Sequence, residues 1–338
     1  MRPRSDGGRD ACVTPAGAGF LRLGEYPGES GKGDGLMDMR SILTAFSLTT
    51  AVLTPWETSL ADDGAMQVDG AELSYSERGE GRPVVFVHGA LSDARIWDGY
   101  AGTIAAQGRF MAYTQRYFGT GDWPDKGERF SRETHVGDLI AFVEGLHAGP
   151  VDLVTWSYSG EIATYAALRR PDLFRSMVHF EPDVVALLDG LPGAAAANAQ
   201  AESTLGPGIA ALEADRPEEA ALRFIEAVFR MPEGAAENEP EPFPAYWREN
   251  GRTLPFFVAM EPGPAISCAD LGALRVPTLI VVGTDTLVSF AMEAEQLARC
   301  SGNALLTRME DVTHDGPYRR PDRFAELILA FRAIVGPE

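Results

Sequence analysis

The chain has 338 residues, 45% of them hydrophobic, enough for one large domain or two small ones around a real core. Its 29 basic against 49 acidic residues leave a net charge of −20. That balance argues against nucleic acid or an anionic membrane surface as partner, since both need a basic face.

Residues 1–36 are rich in Gly, Arg, Asp and Pro and show no apolar period. Met37-Asp38-Met39-Arg40 then precedes an uncharged, mostly apolar run at 41–54 and a small-x-small ending at Ser59-Leu60-Ala61. This is the layout of a secretory signal peptide, and the run is too short for a membrane span. Residues 1–61 are therefore read as a leader, with a signal peptide over 37–61 and a periplasmic or secreted mature chain. If the segment is not used, the protein stays in the cytoplasm. Of the three cysteines, Cys12 lies in the leader. Cys268 and Cys300 flank a strand–helix unit at 278–299, which leaves two readings: a disulfide, or two buried thiols.

Met66 to Ser76 reads as a hairpin turning at Asp69-Gly70. Pro83 to Val87 is a continuous apolar strand ending at His88-Gly89-Ala90. A helix at 94–107, a strand at 110–113 and an amphipathic helix at 132–147 follow, the last with Leu139, Phe142, Val143 and Leu146 on one face. Val151 to Trp156 is again a buried strand, and a helix begins just after it. Arg175 to Pro182 is the next strand. Alternating strands and helices predict an α/β fold, a mostly parallel twisted sheet with helices on both faces. Ligands of such sheets sit beyond the carboxyl ends of the strands.

From 184 to 265 the composition turns to Ala, Glu and Pro, with helical segments near 207–214 and 217–230 and an aromatic stretch at 240–260. This reads as a helical lid inserted into a core made of 62–183 and 266–338. The core resumes with a strand at 277–283, a helix at 289–299 and a strand at 304–309. A final helix carries Phe324, Leu327, Ile328, Phe331 and Ile334 as a core-facing stripe.

The chemistry centres on Ser157. It sits between the strand at 151–156 and the helix after it, with the small residues Thr155 and Ser159 two positions to either side. A sharp strand-to-helix turn crowds those flanking positions and lifts one hydroxyl above the sheet edge. Ser159 suits the role badly, because Glu161 would then occupy the crowded place. A serine needs a base to take its proton. Of the five histidines, His314 lies in the loop after the last strand, at the same edge. His88 belongs to a strand end, His135 and His147 to a helix and its end, and His179 to a strand interior.

With these pieces placed, residues 66–338 outside the lid resemble the α/β-hydrolase superfamily. The likeness rests on His88-Gly89, Trp97, the turn at Ser157, Gly283-Thr284-Asp285 and His314, in the order serine, acid, histidine. Arg116-Tyr117-Phe118-Gly119 and Phe180-Glu181-Pro182 look like a bacterial subgroup of lidded members. The resemblance implies a serine hydrolase acting on an ester, thioester or lactone of a small, partly apolar molecule through an acyl-enzyme. C–C hydrolysis, acyl transfer and perhydrolysis use the same triad, and a non-catalytic ligand-binding member is the reading from another class. An aspartate at 157 would have implied a dehalogenase or epoxide hydrolase.

Two acids fit the resemblance. Asp285 follows the late strand, the commonest place, although Thr286 occupies the expected position. Glu181 ends the strand before the lid, where several haloalkane dehalogenases carry their acid. Asp183 is a distant third. The backbone N–H groups of Ala90 and Tyr158 match the superfamily's oxyanion positions. Trp97, Trp156, Trp247 and Phe256 are candidates for an apolar pocket lining, with plain packing as the other reading. No metal-ligand spacing and no phosphate loop is visible, so neither a metal nor another cofactor is expected. The expected partner is a small molecule.

Overall fold

The hairpin sets one edge of the sheet. β1 (Asp62–Val68) and β2 (Ala71–Gly79) pair antiparallel around Asp69 and Gly70, whose φ angles of 32° and 78° are both positive. A two-residue hairpin turn whose twist matches its strands needs that conformation at both positions. The computed structural model describes residues 62–261 and 263–336. The expected signal peptide at 37–61 and Cys12 lie outside the described residues.

The remaining strands are β3 (Pro83–Val87), β4 (Arg109–Tyr113), β5 (Val151–Trp156), β6 (Phe174–Phe180), β7 (Thr278–Gly283) and β8 (Ala304–Met309). Among the described residues they form an eight-stranded sheet in the order β1-β2-β4-β3-β5-β6-β7-β8. β2 runs antiparallel to both neighbours, and every other pairing is parallel. The α/β sheet expected from the alternation is therefore present.

Its helices follow in chain order. A 3-10 turn (Ala94–Tyr100) leads into α1 (Ala101–Ala105), and α2 (Arg132–Gly145) and α3 (Tyr158–Arg169) come next. The single helix expected over 94–107 is thus split, in keeping with Gly99 and Gly102, which weaken helix interiors. Residues 181–277 separate β6 from β7. They hold α4 (Ala194–Glu213), α5 (Pro217–Val228), α6 (Phe243–Asn250), α7 (Leu254–Ala259) and α8 (Cys268–Ala273). After β7 come α9 (Val288–Cys300), α10 (Gly316–Arg319) and α11 (Pro321–Val335).

Successive strand side chains point to opposite faces, and the sheet accordingly has two cores. Val84, Phe86, Val154 and Phe180 pack with Trp97, Tyr100, Phe324 and Ile328 on one side. Val85, Val87, Leu153 and Ile280 pack with Leu139, Phe142 and Ile162 on the other. Each fully buried large side chain contributes about 1.5–3 kcal/mol of transfer free energy. In the α11 stripe Phe324, Ile328 and Phe331 are buried and Leu327 partly so, but Ile334 is 72% exposed. The last turn is tied down by a polar contact instead, Arg332 Nε donating to Asp152 Oδ2 at 2.8 Å.

Cys268, at the start of α8, is joined to Cys300, at the end of α9, by a disulfide closing 32 residues of chain. Loop-closure entropy assigns such a crosslink about 4 kcal/mol. The Cys268→Ser/Cys300→Ser double variant is expected to lose roughly that much in urea unfolding. Reductant should lower the wild-type midpoint and leave the variant's unchanged.

Candidate active site

β3, β5, β6, β7 and β8 all run the same way, so their carboxyl ends share one edge. Ser157 stands there, between β5 and α3. Its φ of 60° and ψ of −125° put a non-glycine residue in a region that L-residues avoid. The conformation is held on both sides: Ser157 N–H donates to Phe180 O at 3.0 Å, while Ser157 O accepts the N–H of Gly160 at 2.7 Å and of Asp183 at 3.2 Å. A Cβ on Gly89 would lie 3.0 Å from Trp156 O and 3.2 Å from Ser157 Cβ, so glycine there lets the end of β3 press against the serine.

Thr155 and Ser159 stand where glycines usually flank such a turn, and each finds a partner. Ser159 Oγ donates to Val87 O at 2.8 Å and accepts the Trp156 N–H at 3.1 Å. Thr155 Oγ1 lies 2.6 Å from His179 Nδ1. Burial pushes the His179 imidazole down to about 4, so that ring is neutral at pH 7.

His314 is buried, and its Nδ1–H donates to Glu181 Oε2 at 2.7 Å. Glu181 is itself fully buried and satisfied. Its Oε1 accepts the Gly283 N–H at 2.7 Å, and its Oε2 also accepts the Thr286 hydroxyl at 2.7 Å. With Nδ1 committed, Nε2 is the nitrogen left free to act as a base. The Phe290 ring stacks on the imidazole at 4.2 Å, and the Trp156 Nε1–H donates to His314 O at 3.0 Å.

Asp285 is placed elsewhere. Its side chain is exposed, its N–H donates to Val312 O, and its carbonyl accepts Arg230 Nη1. Of the two acids left open by the sequence, it is Glu181 whose carboxylate meets His314. Thr286, at the position where an acid is commonest, contributes a hydroxyl to that carboxylate instead.

Ser157, His314, Gly89, Ala90 and Trp156 line one cavity of about 340 Å³, at the small end of ligand-site volumes. The inserted helices complete it with Leu205, Phe224, Ile225, Phe229 and Trp247. The Tyr158 N–H is the first of α3 and has no intrahelical acceptor. Two pocket expectations need correction. Trp97 is not among the lining residues; it lies in the core against Phe86 and Tyr100, with Trp156 between it and the cavity. Phe256 packs on Trp123 and Phe130. Its neighbour Phe257 lines the cavity, because adjacent helical residues point about 100° apart. Phe229 and Phe290 are lining residues that sequence reasoning missed as such. Nothing in their neighbours marks them.

His88, His135 and His179 are held in buried structural bonds, and His147 is exposed just past the end of α2. His88 Nδ1–H donates to Gly89 O at 2.7 Å and Nε2 accepts the Gln115 N–H at 3.0 Å, with burial holding the ring near 4. His135, on α2, has its Nδ1 2.6 Å from the Tyr158 hydroxyl and its Nε2 3.2 Å from Arg116 O. Among the described residues no cluster of His, Cys, Asp and Glu is arranged to hold a metal, and no helix is long and apolar enough to cross a membrane.

The model of the alpha/beta hydrolase family matches residues 84–327. The chain belongs to that family. Uncharacterized hydrolase YraK of Bacillus subtilis is 26% identical over 38% of this chain and 48% of its own length. A haloalkane dehalogenase of Agrobacterium fabrum is 28% identical over 36% of this chain and 40% of its own. The alignments thus span less than half of either relative. Among solved structures, a bromoperoxidase from Bacillus anthracis superposes with a TM-score of 0.64 at 21% identity, covering 80% of this chain and 100% of that one. An epoxide hydrolase from Vigna radiata superposes with a TM-score of 0.61 at 18% identity, covering 81% and 98%. These likenesses are of fold.

Near the site of this hydrolase-family chain lies a set of buried charges. Arg132 pairs with Glu161, and burial, opposed by Arg132, raises the Glu161 carboxyl to about 7. The folded state therefore holds a proton between pH 4.5 and 7 that the unfolded chain releases, and stability falls as pH rises through that window. Glu161→Gln removes this dependence. Its stability relative to wild type, read from urea midpoints at pH 5 and 7.5, is expected to rise with pH by up to ~1.4 kcal/mol per unit.

Proposed function

We propose that the protein is a serine hydrolase that cleaves an ester, thioester or lactone of a small, partly apolar molecule. The observation that carries this reading is the strained turn at Ser157 in the wall of the cavity that His314 also lines, with Glu181 bonded to the far side of the imidazole. In it His314 Nε2 takes the proton of Ser157 as Oγ attacks the acyl carbon, and Glu181 stabilises the imidazolium that forms. The N–H groups of Ala90 and Tyr158 receive the developing oxyanion. The proton then passes to the leaving alcohol. Water, deprotonated by the same imidazole, releases the acid from the acyl-enzyme.

Relatives named as dehalogenase and epoxide hydrolase share the family, but a serine at 157 suits acyl transfer better than their reactions. In this reading the inserted helices act as a lid, since they supply much of the apolar lining. We also read the protein as exported, supported by the Cys268–Cys300 bond and the signal-like segment 37–61. Covalent labelling by a fluorophosphonate, mapped by peptide mass, tests the central point. Labelling at Ser157 with turnover of a short-chain aryl ester is expected; absence of both overturns the reading.

A further inference from the structure

One wall of the cavity is not apolar, and the triad makes no use of it. Asp183 and Glu293 both line the cavity, as does Ser289. Asp183 follows the acid-bearing end of β6 by two residues, and its N–H donates to Ser157 O at 3.2 Å. The polar wall is therefore tied to the serine's own backbone. Glu293 reaches it from α9, and its Oε2 accepts the Val184 N–H at 2.7 Å.

The two carboxyl groups lie close together, and burial raises both. Like charges so close cannot both ionise, so the pair keeps a proton between them. Glu293 is buried, whereas Asp183 retains accessible surface, and it is a lining residue of the cavity.

A second observation points to a ligand independently. Ser92 lines the same cavity and is 4% exposed, yet its Oγ has no hydrogen-bond partner. A buried hydroxyl without a partner costs about 1–3 kcal/mol. It is relieved when a polar atom enters the cavity beside it.

We propose that Asp183, backed by Glu293, and Ser92 form a polar subsite that binds a neutral hydrogen-bond donor, a hydroxyl or an amide N–H, on the apolar chain of the substrate. This rests on the hydrolase reading of the same cavity for its substrate class. The donor is neutral because an anion meets the carboxylate behind His314 and the Asp183–Glu293 pair, while an ammonium gives up its hydration in a cavity otherwise lined mostly by apolar side chains. An anionic chain is repelled there. Discrimination by a buried acceptor is strong, since a substrate without the donor leaves the acceptor unpaired.

The test compares p-nitrophenyl butyrate with p-nitrophenyl 3-hydroxybutyrate and the p-nitrophenyl monoester of succinate. Wild type is expected to favour the hydroxylated ester over the plain one by tenfold or more in kcat/KM, with the anionic ester worst. The ratio of hydroxylated to plain should fall at least tenfold in Asp183→Ala and at least threefold in Ser92→Ala. Asp183→Leu, close in shape and without an acceptor, replaces Asp183→Ala if that variant does not fold. A wild-type ratio near one, or a ratio unchanged in both variants, overturns the subsite. Fluorophosphonate labelling of the same samples separates the two readings: a labelled Ser157 with no preference leaves the hydrolase intact and removes only the subsite. Should neither ester turn over, calorimetric binding of methyl butyrate and methyl 3-hydroxybutyrate, which differ only in the hydroxyl donor, to wild type decides, and equal affinities overturn the proposal.

Discussion

Glu181→Gln is expected to lower kcat on a short-chain aryl ester by about 10⁴-fold, the loss seen when a triad acid is replaced by its amide. The amide keeps the shape of the carboxylate but not its charge. Two of its present partners are donors to Oε2, the His314 Nδ1–H and the Thr286 hydroxyl, and a third is the Gly283 N–H on Oε1. An amide has one acceptor oxygen for these three. With its oxygen on the Gly283 N–H, which cannot reverse, its NH₂ faces His314 and favours the wrong tautomer; turned the other way, its NH₂ opposes the Gly283 N–H. Asp285→Asn is expected to change kcat less than threefold, because that side chain is exposed and its backbone bonds do not involve the carboxylate. Steady-state kinetics on the two variants decides between the acids. A large loss in Asp285→Asn with little in Glu181→Gln would reverse the assignment.

Ser157 has effects in two directions. On the proposed mechanism, Ser157→Gly is expected to lower kcat by roughly 10⁶-fold, since no oxygen would remain to attack the acyl carbon. The same variant is expected to be more stable than wild type by about 1 kcal/mol in urea unfolding. Its φ of 60° and ψ of −125° strain any residue with a Cβ, and glycine relieves that strain. Ser157→Ala should match the activity loss without the gain in stability. A protein that loses activity but gains no stability in Ser157→Gly would mean the turn is not strained in solution.

The strand–helix alternation made the α/β sheet legible, because each buried strand reads as an apolar run and each helix as a 3.6-residue period. Local chemistry also pointed at Ser157: only small residues fit beside it, and Thr155 and Ser159 are small. Glu181 and Asp285 were not separable that way. Each ends a strand at the same sheet edge, and only the packing of β6 against β7 turns one carboxylate toward His314. Trp97 and Phe256 misled for a similar reason. An aromatic residue near a site in sequence is as easily core as lining, and one step along α7 exchanges Phe256 for Phe257.

Patterns within single elements thus specified the sheet and the turn at Ser157, since their signals come from periodicity and crowding over a few residues, and the order of elements pointed to His314. The choice of acid, the cavity wall and the paired Asp183 and Glu293 came from the folded chain alone. Each joins residues more than a hundred positions apart, or from different elements, and no local pattern encodes which side chain faces which.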